Sequence, residues 1–319
     1  MSEPAELLAP AIRAKVLAEI AVSAIDQARF GPACRDVVFT VGNRSAQDFE
    51  PALRMATGTA ALAYEVAQGG IDVGFINPSG MLTQAYLGKG LFDEPLPLRM
   101  VACYPSWDRM VYLVHPRTGI TSLAQMVERR QPLRLSIRGD PSHSTVVLTQ
   151  QTLAAYGSSL ADFQSWGGTL QYVRSPRDPQ RIAALRTGEI DAVFDEGIGS
   201  WLDDALAAGM QPVSLDDTVL KHLETLGWRR ATVPASRFRQ LSTDYVGINF
   251  GGWALYARAS MPEEAVYQVC DALHSQAGQI PWEAGAYTDF GQLGRDTDAT
   301  PIDVPLHPGS ARWFSEHSA

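Results

Sequence analysis

Residues 181–197 read RIAALRTGEIDAVFDEG (Arg181–Gly197). An apolar helix end, Ile182 and Leu185, closes on Gly188. Ile190, Ala192, Val193 and Phe194 then form a short apolar run, and two carboxylates, Asp195 and Glu196, follow where the run opens into a loop. An apolar run bounded in this way reads as a strand buried on both faces. Residues 59–77, TAALAYEVAQGGIDVGFIN, repeat the plan: a helix, Gly69-Gly70, Ile-Asp, a short apolar strand and a polar residue, Asn77. Two copies of one unit, about 120 residues apart, predict two similar α/β lobes. Each lobe presents loop residues at the carboxyl end of a central strand, the place where open α/β sheets bind ligands.

A chain of 319 residues suits two domains of ordinary size. Hydrophobic residues make up 45% and the mean hydropathy is −0.08, so real cores can form. The net charge of −9 argues against nucleic acid and anionic membrane surfaces as partners, which call for a basic face. A small anion needs only a local positive pocket and is not excluded. Cys34, Cys103 and Cys270 are widely spaced and odd in number, which argues against a disulfide framework or zinc site. The six histidines form no HExxH or HxH cluster, and no Walker loop, GxGxxG or Ser–His–Asp spacing is present. No metal or cofactor is therefore expected. Residues 1–30 have an acidic start, Glu3 and Glu6, and no unbroken apolar run, so they lack the pattern of a secretory leader. The chain as given is expected in the cytoplasm without membrane insertion. It would be periplasmic, with membrane transporter subunits as partners, only where a leader had been removed.

Along the chain, Pro10–Phe30 is expected as an amphipathic helix, Asp36–Val41 as a strand and Asn43–Phe49 as a polar loop. Further strands are expected at Leu53–Ala56, Ile71–Ile76, Leu98–Tyr104, Met110–His115 and Leu133–Ile137. One long strand is expected over Val246–Ala257. Helices are expected after Pro78-Ser79 and at Leu123–Arg129, Val146–Tyr156, residues 179–187, Ser200–Ala208, Thr218–Leu226 and Pro262–Ala277. The chain crosses between lobes at Met110–His115 and returns at Val246–Tyr256. Residues 1–115 plus 240–319 then form one discontinuous lobe, and 116–239 form the other.

Candidate site residues gather at the predicted strand ends. Ser142, His143, Ser144 and Thr145 follow a strand and open a helix, where hydroxyls and backbone N–H groups can hold a carboxylate or phosphate; the plainer reading is a helix cap. Asn77 and Ser79 form the matching loop of the other lobe. Arg109 and Arg138 can pair with an anion. Tyr104 and Trp107 can wall a ring or chain, or can be core. Glu196 can bind ligand hydroxyls or an ammonium group, or can be a solvated loop carboxylate, and Asp195 more weakly so. His307 reads as structural, fixing the tail.

Several segments together resemble a known family: GGIDVGFIN (69–77), YPSWDRMVYLVHPRTGITSLAQM (104–126), LSIRGDPSHST (135–145), LRTGEIDAVFDEG (185–197) and VPLHPGSARWFSE (304–316). In order and spacing they are similar to the TAXI-type solute receptors of TRAP transporters, a branch of the type II periplasmic binding proteins. The resemblance implies a two-lobed α/β fold with a strand hinge and an interlobe cleft holding a small organic acid, and it places Ser142–Thr145 in that cleft. The same fold also hosts cytoplasmic enzymes, which implies an alternative: a cofactor-free decarboxylase or related lyase with His143 or Glu196 as proton donor.

Overall fold

The computed structural model describes residues 15–20, 37–42, 51–57 and 60–317. Residues 15–20 are helical; the rest of the helix expected over Pro10–Phe30, the loop at Asn43–Phe49, and Cys34 lie outside the described residues. Strands β1 (Val37–Gly42) and β2 (Pro51–Thr57) pair antiparallel. Helix α1 (Leu62–Ala67) leads to β3 (Val73–Ile76), parallel to β2, and α2 (Ser79–Leu87) to β4 (Leu98–Tyr104). The next strand, β5 (Arg109–Val114), opens a second sheet. There follow α3 (Leu123–Glu128), β6 (Arg134–Arg138), α4 (Ser144–Ala155), α5 (Leu160–Ser165), β7 (Thr169–Val173) and α6 (Pro179–Thr187). Then come β8 (Ala192–Asp195), α7 (Leu202–Ala207), β9 (Gln211–Pro212), α8 (Asp217–Thr225), β10 (Arg230–Val233) and β11 (Tyr245–Asn249). The chain returns to the first sheet in β12 (Trp253–Arg258) and ends in α9 (Glu263–Ser275) and α10 (Pro308–His317). The first sheet has the order β1-β2-β3-β12-β4 and the second β10-β11-β5-β8-β6-β7, with β9 beside β5. This is the two-sheet α/β architecture expected. Among the described residues no helix is long and apolar enough to cross a membrane.

Local chemistry explains the elements. Asp178 caps α6 by accepting from Gln180 N at 2.9 Å, Pro179 fills the first turn, and Gly188 ends the helix at φ +71°. Both faces of β8 are buried, as its unbroken apolar run requires.

The aspartate of each repeat has a structural job. Asp72 N donates to Arg54 O at 2.9 Å, and Arg54 N returns to the Asp72 carboxylate at 2.8 Å. Asp191 N donates to Arg134 O at 2.8 Å, and Arg134 N returns to its carboxylate at 3.0 Å. In both lobes the side chain thus locks the start of a strand to its parallel neighbour. Arg258 pairs with Asp72 at 2.9 Å, and Arg117 and Arg134 pair with Asp191 at 2.8 Å.

One expected element is corrected. Val246–Ala257 is two strands, β11 and β12, in different sheets, broken at Phe250-Gly251-Gly252. Gly252 has φ +71°, and a Cβ on Gly251 would lie 2.2 Å from Ser106 O. The break lies against the outward crossing: Phe250 N donates to Asp108 O at 3.0 Å and Gly252 N to Ser106 O at 3.2 Å. The chain therefore changes sheets at residues 105–108 and again at 250–252.

The clamp yields a test. Burial works against ionisation of Asp191, but hydrogen bonds from Arg134 and Arg117 outweigh it and hold the carboxyl below its usual range. A carboxyl whose folded-state pKa is depressed contributes stability that is full above the unfolded value and is lost as pH falls from there through the folded pKa. Asp191→Asn should cost roughly 2 kcal/mol at neutral pH, and the deficit should shrink below about pH 4, as read by urea unfolding across pH.

Candidate functional site

Two helices start at facing strand ends. Helix α2 follows β3 through the cis Asn77–Pro78 bond, and α4 follows β6. Ser144 Oγ donates to Asn77 O at 3.1 Å, and Gln151 Nε2 donates to Gln84 Oε1 at 3.0 Å. Both pairs are 67 residues apart, so α2 and α4 lie side by side, parallel and in register. Met81, Leu82 and Ala85 join Val147 and Leu148 in one buried cluster that continues into both sheets. Trp228 stands at this seam: its Nε1 donates to Gln151 Oε1 at 2.6 Å, and its ring stacks on Phe250 at 6.0 Å.

The first turns of these helices hold most of the predicted loop residues. Ser79 is buried; its N donates to Gly252 O at 2.7 Å and its Oγ to Gly251 O at 3.3 Å, so the return crossing fixes the start of α2. Ser142 is exposed and donates through N (2.9 Å) and Oγ (2.7 Å) to Asp140 Oδ1. His143 is the cap of α4, its Nδ1 accepting from Thr145 N at 3.2 Å. Thr145 is fully buried, and its Oγ1 has no hydrogen-bond partner. A buried hydroxyl without a partner is costly, and this one sits in the first turn of a helix whose N-terminus lies beside that of a second.

The predicted arginines are engaged elsewhere. Arg138 donates through Nε to both oxygens of Asp195, at 2.9 and 3.0 Å, through Nη1 to Arg174 O at 2.9 Å, and pairs with Glu196. Arg181 pairs with the same Asp195, donates to Ser136 Oγ at 3.0 Å, and lies over the Trp201 ring. Asp195 and Arg181 are fully buried, so this is an internal ion network under the strand ends, with no unpaired charge at Arg138 to offer a ligand. In the sequence nothing local marks Arg181, which falls within the helix expected over residues 179–187. Arg109 is 1% exposed, pairs with Asp298, donates to Asp108 O at 2.7 Å and lies 4.5 Å from the Trp107 ring. On Trp107, Arg237 also lies 3.7 Å from the ring. Tyr104 stacks on Trp282 and donates to Pro281 O. Tyr104, Trp107 and Arg109 thus build the crossing and its cover and are not gathered at the α2–α4 seam.

Asp108 was missed by the sequence reading. Its carboxylate accepts from Gly197 N at 2.9 and 2.8 Å, from Ile198 N at 3.3 Å and from Arg109 N at 2.7 Å. It ties the outward crossing to the loop after β8. Burial, then the neighbouring Glu196 carboxylate, push its pKa well above the usual carboxylate range. The available signal was an Asp in the short turn between two strands, where its side chain commonly binds nearby backbone N–H groups. Among the described residues, no three His, Cys, Asp or Glu side chains are grouped to hold a metal ion. Asp195→Ala would leave the buried Arg181 without a carboxylate and Arg138 with Glu196 alone, and should cost roughly 3–5 kcal/mol, measurable by denaturant unfolding.

The model of the NMT1-like family matches residues 53–317. No curated protein matches the sequence. Among solved structures, the alkanesulfonate-binding protein SsuA from Xanthomonas axonopodis pv. citri, bound to MOPS, is 17% identical over 81% of this chain and 70% of its own, with a TM-score of 0.31. The chloride-bound protein XAC2383 from Xanthomonas citri is 16% identical over 81% and 80%, with a TM-score of 0.39. PhnD1 from Prochlorococcus marinus (MIT 9301), in complex with methylphosphonate, is 12% identical over 64% and 62%, with a TM-score of 0.33. The family match spans well over half of the sequence, and the chain belongs to the NMT1-like family.

Proposed function

We propose that the protein binds a small organic acid between its two lobes, seating the carboxylate at the paired N-termini of α2 and α4. The reading rests on one observation above all: a fully buried Thr145 hydroxyl without a partner, in the first turn of a helix set parallel to another. Each helix N-terminus carries about half a positive charge. Two side by side repel, and an anion between them relieves the repulsion while accepting from the Thr145 hydroxyl. The ligand's charge is then met by helix ends and not by Arg109 or Arg138, both of which already have carboxylate partners.

In this reading the lobes exchange chain at 105–108 and 250–252 and part by separating α2 from α4, a hinge motion about those crossings. The sequence resemblance to TAXI-type solute receptors supports binding and retention of an unchanged ligand. The geometry gives no support to the decarboxylase alternative. Glu196, one of the two proposed proton donors, is held in an ion pair with Arg138, and His143 serves as the cap of α4 through Nδ1.

A panel of organic acids, carboxylates first, should include one that raises thermal stability. Saturation at a hundred times Kd adds about 2.7 kcal/mol. Thr145→Val should abolish that shift while leaving the ligand-free protein equally or more stable, because the substitution removes an unsatisfied buried hydroxyl. A panel with no effect on the native protein, or a valine variant that binds as well as the native one, would sink the proposal.

A further inference from the structure

Residues 281–303 lie across both crossings. Tyr104 donates its hydroxyl to Pro281 O, Trp107 N donates to Glu283 Oε1 at 3.0 Å, and Ser106 N donates to Ala299 O at 3.0 Å. Asn249 Nδ2 donates to Asp298 O at 3.0 Å, and a Cβ on Gly252 would lie 2.5 Å from Pro301 Cδ. At its far end the segment is anchored on the first sheet: Met100 N donates to Pro305 O at 3.0 Å and His307 N to Met100 O at 2.7 Å. Its aspartates reach the other way, to arginines of the second lobe. Asp298 pairs with Arg109, and Arg229 spans Asp296 at 2.8 Å and Asp303 at 2.6 Å.

The two attachments differ in their surroundings. Arg109 is 1% exposed and its partner Asp298 60%, whereas Arg229 and Asp303 are each 31% exposed and Asp296 54%. Ions in solution therefore reach the carboxylate side of both attachments, but Asp298 is also held by Asn249 Nδ2, which donates to its carbonyl at 3.0 Å and to its carboxylate at 3.3 Å. Arg109 has a further fixed partner in the Asp108 carbonyl, on the crossing itself. The guanidinium of Arg229, by contrast, is held by carboxylates of the segment, so its release frees one side of the segment from the second lobe.

We propose that residues 281–303 form a strap that sets the angle between the lobes, with Arg109 as its fixed attachment and Arg229 as the one that lets go. The strap holds the closed arrangement of α2 against α4 and loosens as ionic strength rises. It controls access to the site proposed above and rests on that reading for its purpose. Its test needs no ligand, so a failed binding assay and a failed strap are separate results.

The experiment is hydrogen exchange, read by mass spectrometry, on the ligand-free full chain, together with small-angle scattering. Arg229→Gln should quicken exchange in peptides covering 104–108 and 249–253 by roughly tenfold, about 1.4 kcal/mol of opening, and should enlarge the radius of gyration. Raising salt on the native protein should do the same, and salt should add little to the variant. The double variant Asp296→Asn with Asp303→Asn removes the same contacts from the exposed side and should match Arg229→Gln. Unchanged exchange at the crossings overturns the strap. So does an equal rise throughout the chain, buried β4 included, or faster exchange with unchanged scattering, since the segment would then move without the lobes.

Discussion

Two positive helix ends held side by side are the constraint on which this structure turns. Helices α2 and α4 come from different lobes, yet they run parallel, with Ser144 bonded to the Asn77 carbonyl at one end and Gln84 to Gln151 further along. Antiparallel neighbours would cancel their dipoles; parallel neighbours add them. The apolar seam of Met81, Leu82, Val147 and Leu148 keeps the pair together, and Thr145 pays a desolvation penalty at its head. The proposed anion would relieve both costs.

A few buried contacts fix the strands and loops behind those two ends. The clamps at Asp72 and Asp191 set the strands that deliver the loops, one in each lobe. The Arg138–Asp195–Arg181 network holds the ends of β6 and β8 rigid, so that the loop opening α4 starts from a fixed point. Such a network is weak as a source of stability, because the attraction between its charges is set against their desolvation, but it is unforgiving of losing one member. Asp108 and Ser79 attach the crossings to both sides, and the segment at 281–303 covers them.

The central strands were legible because their signal is local: apolar runs that follow a helix-ending glycine, in Ile71–Ile76 and Ile190–Phe194, need no knowledge of distant residues. The repeat was legible for the same reason, although the role of its aspartate was not. The break at Phe250–Gly252 was hidden because apolar residues continue on either side of it, and only the approach of Ser106 shows why glycine is needed. The loops at Asn77–Ser79 and Ser142–Thr145 were found by their strand–loop–helix pattern, and the structure brings Asn77 and Ser144 into contact. The arginines were misleading because their partners are remote: Asp298 lies 189 positions from Arg109, and Asp195 lies 57 from Arg138. No local pattern distinguishes a free guanidinium from one already matched.

Anomalous scattering reads the place of a bound ligand directly. Crystals soaked with a bromine-labelled organic acid should show its carboxylate between the first turns of α2 and α4, within hydrogen-bonding distance of Thr145 Oγ1, with the bromine marking the rest of the molecule in the cleft. A labelled acid bound in full occupancy anywhere else, with the Thr145 hydroxyl still without a partner, would contradict the account.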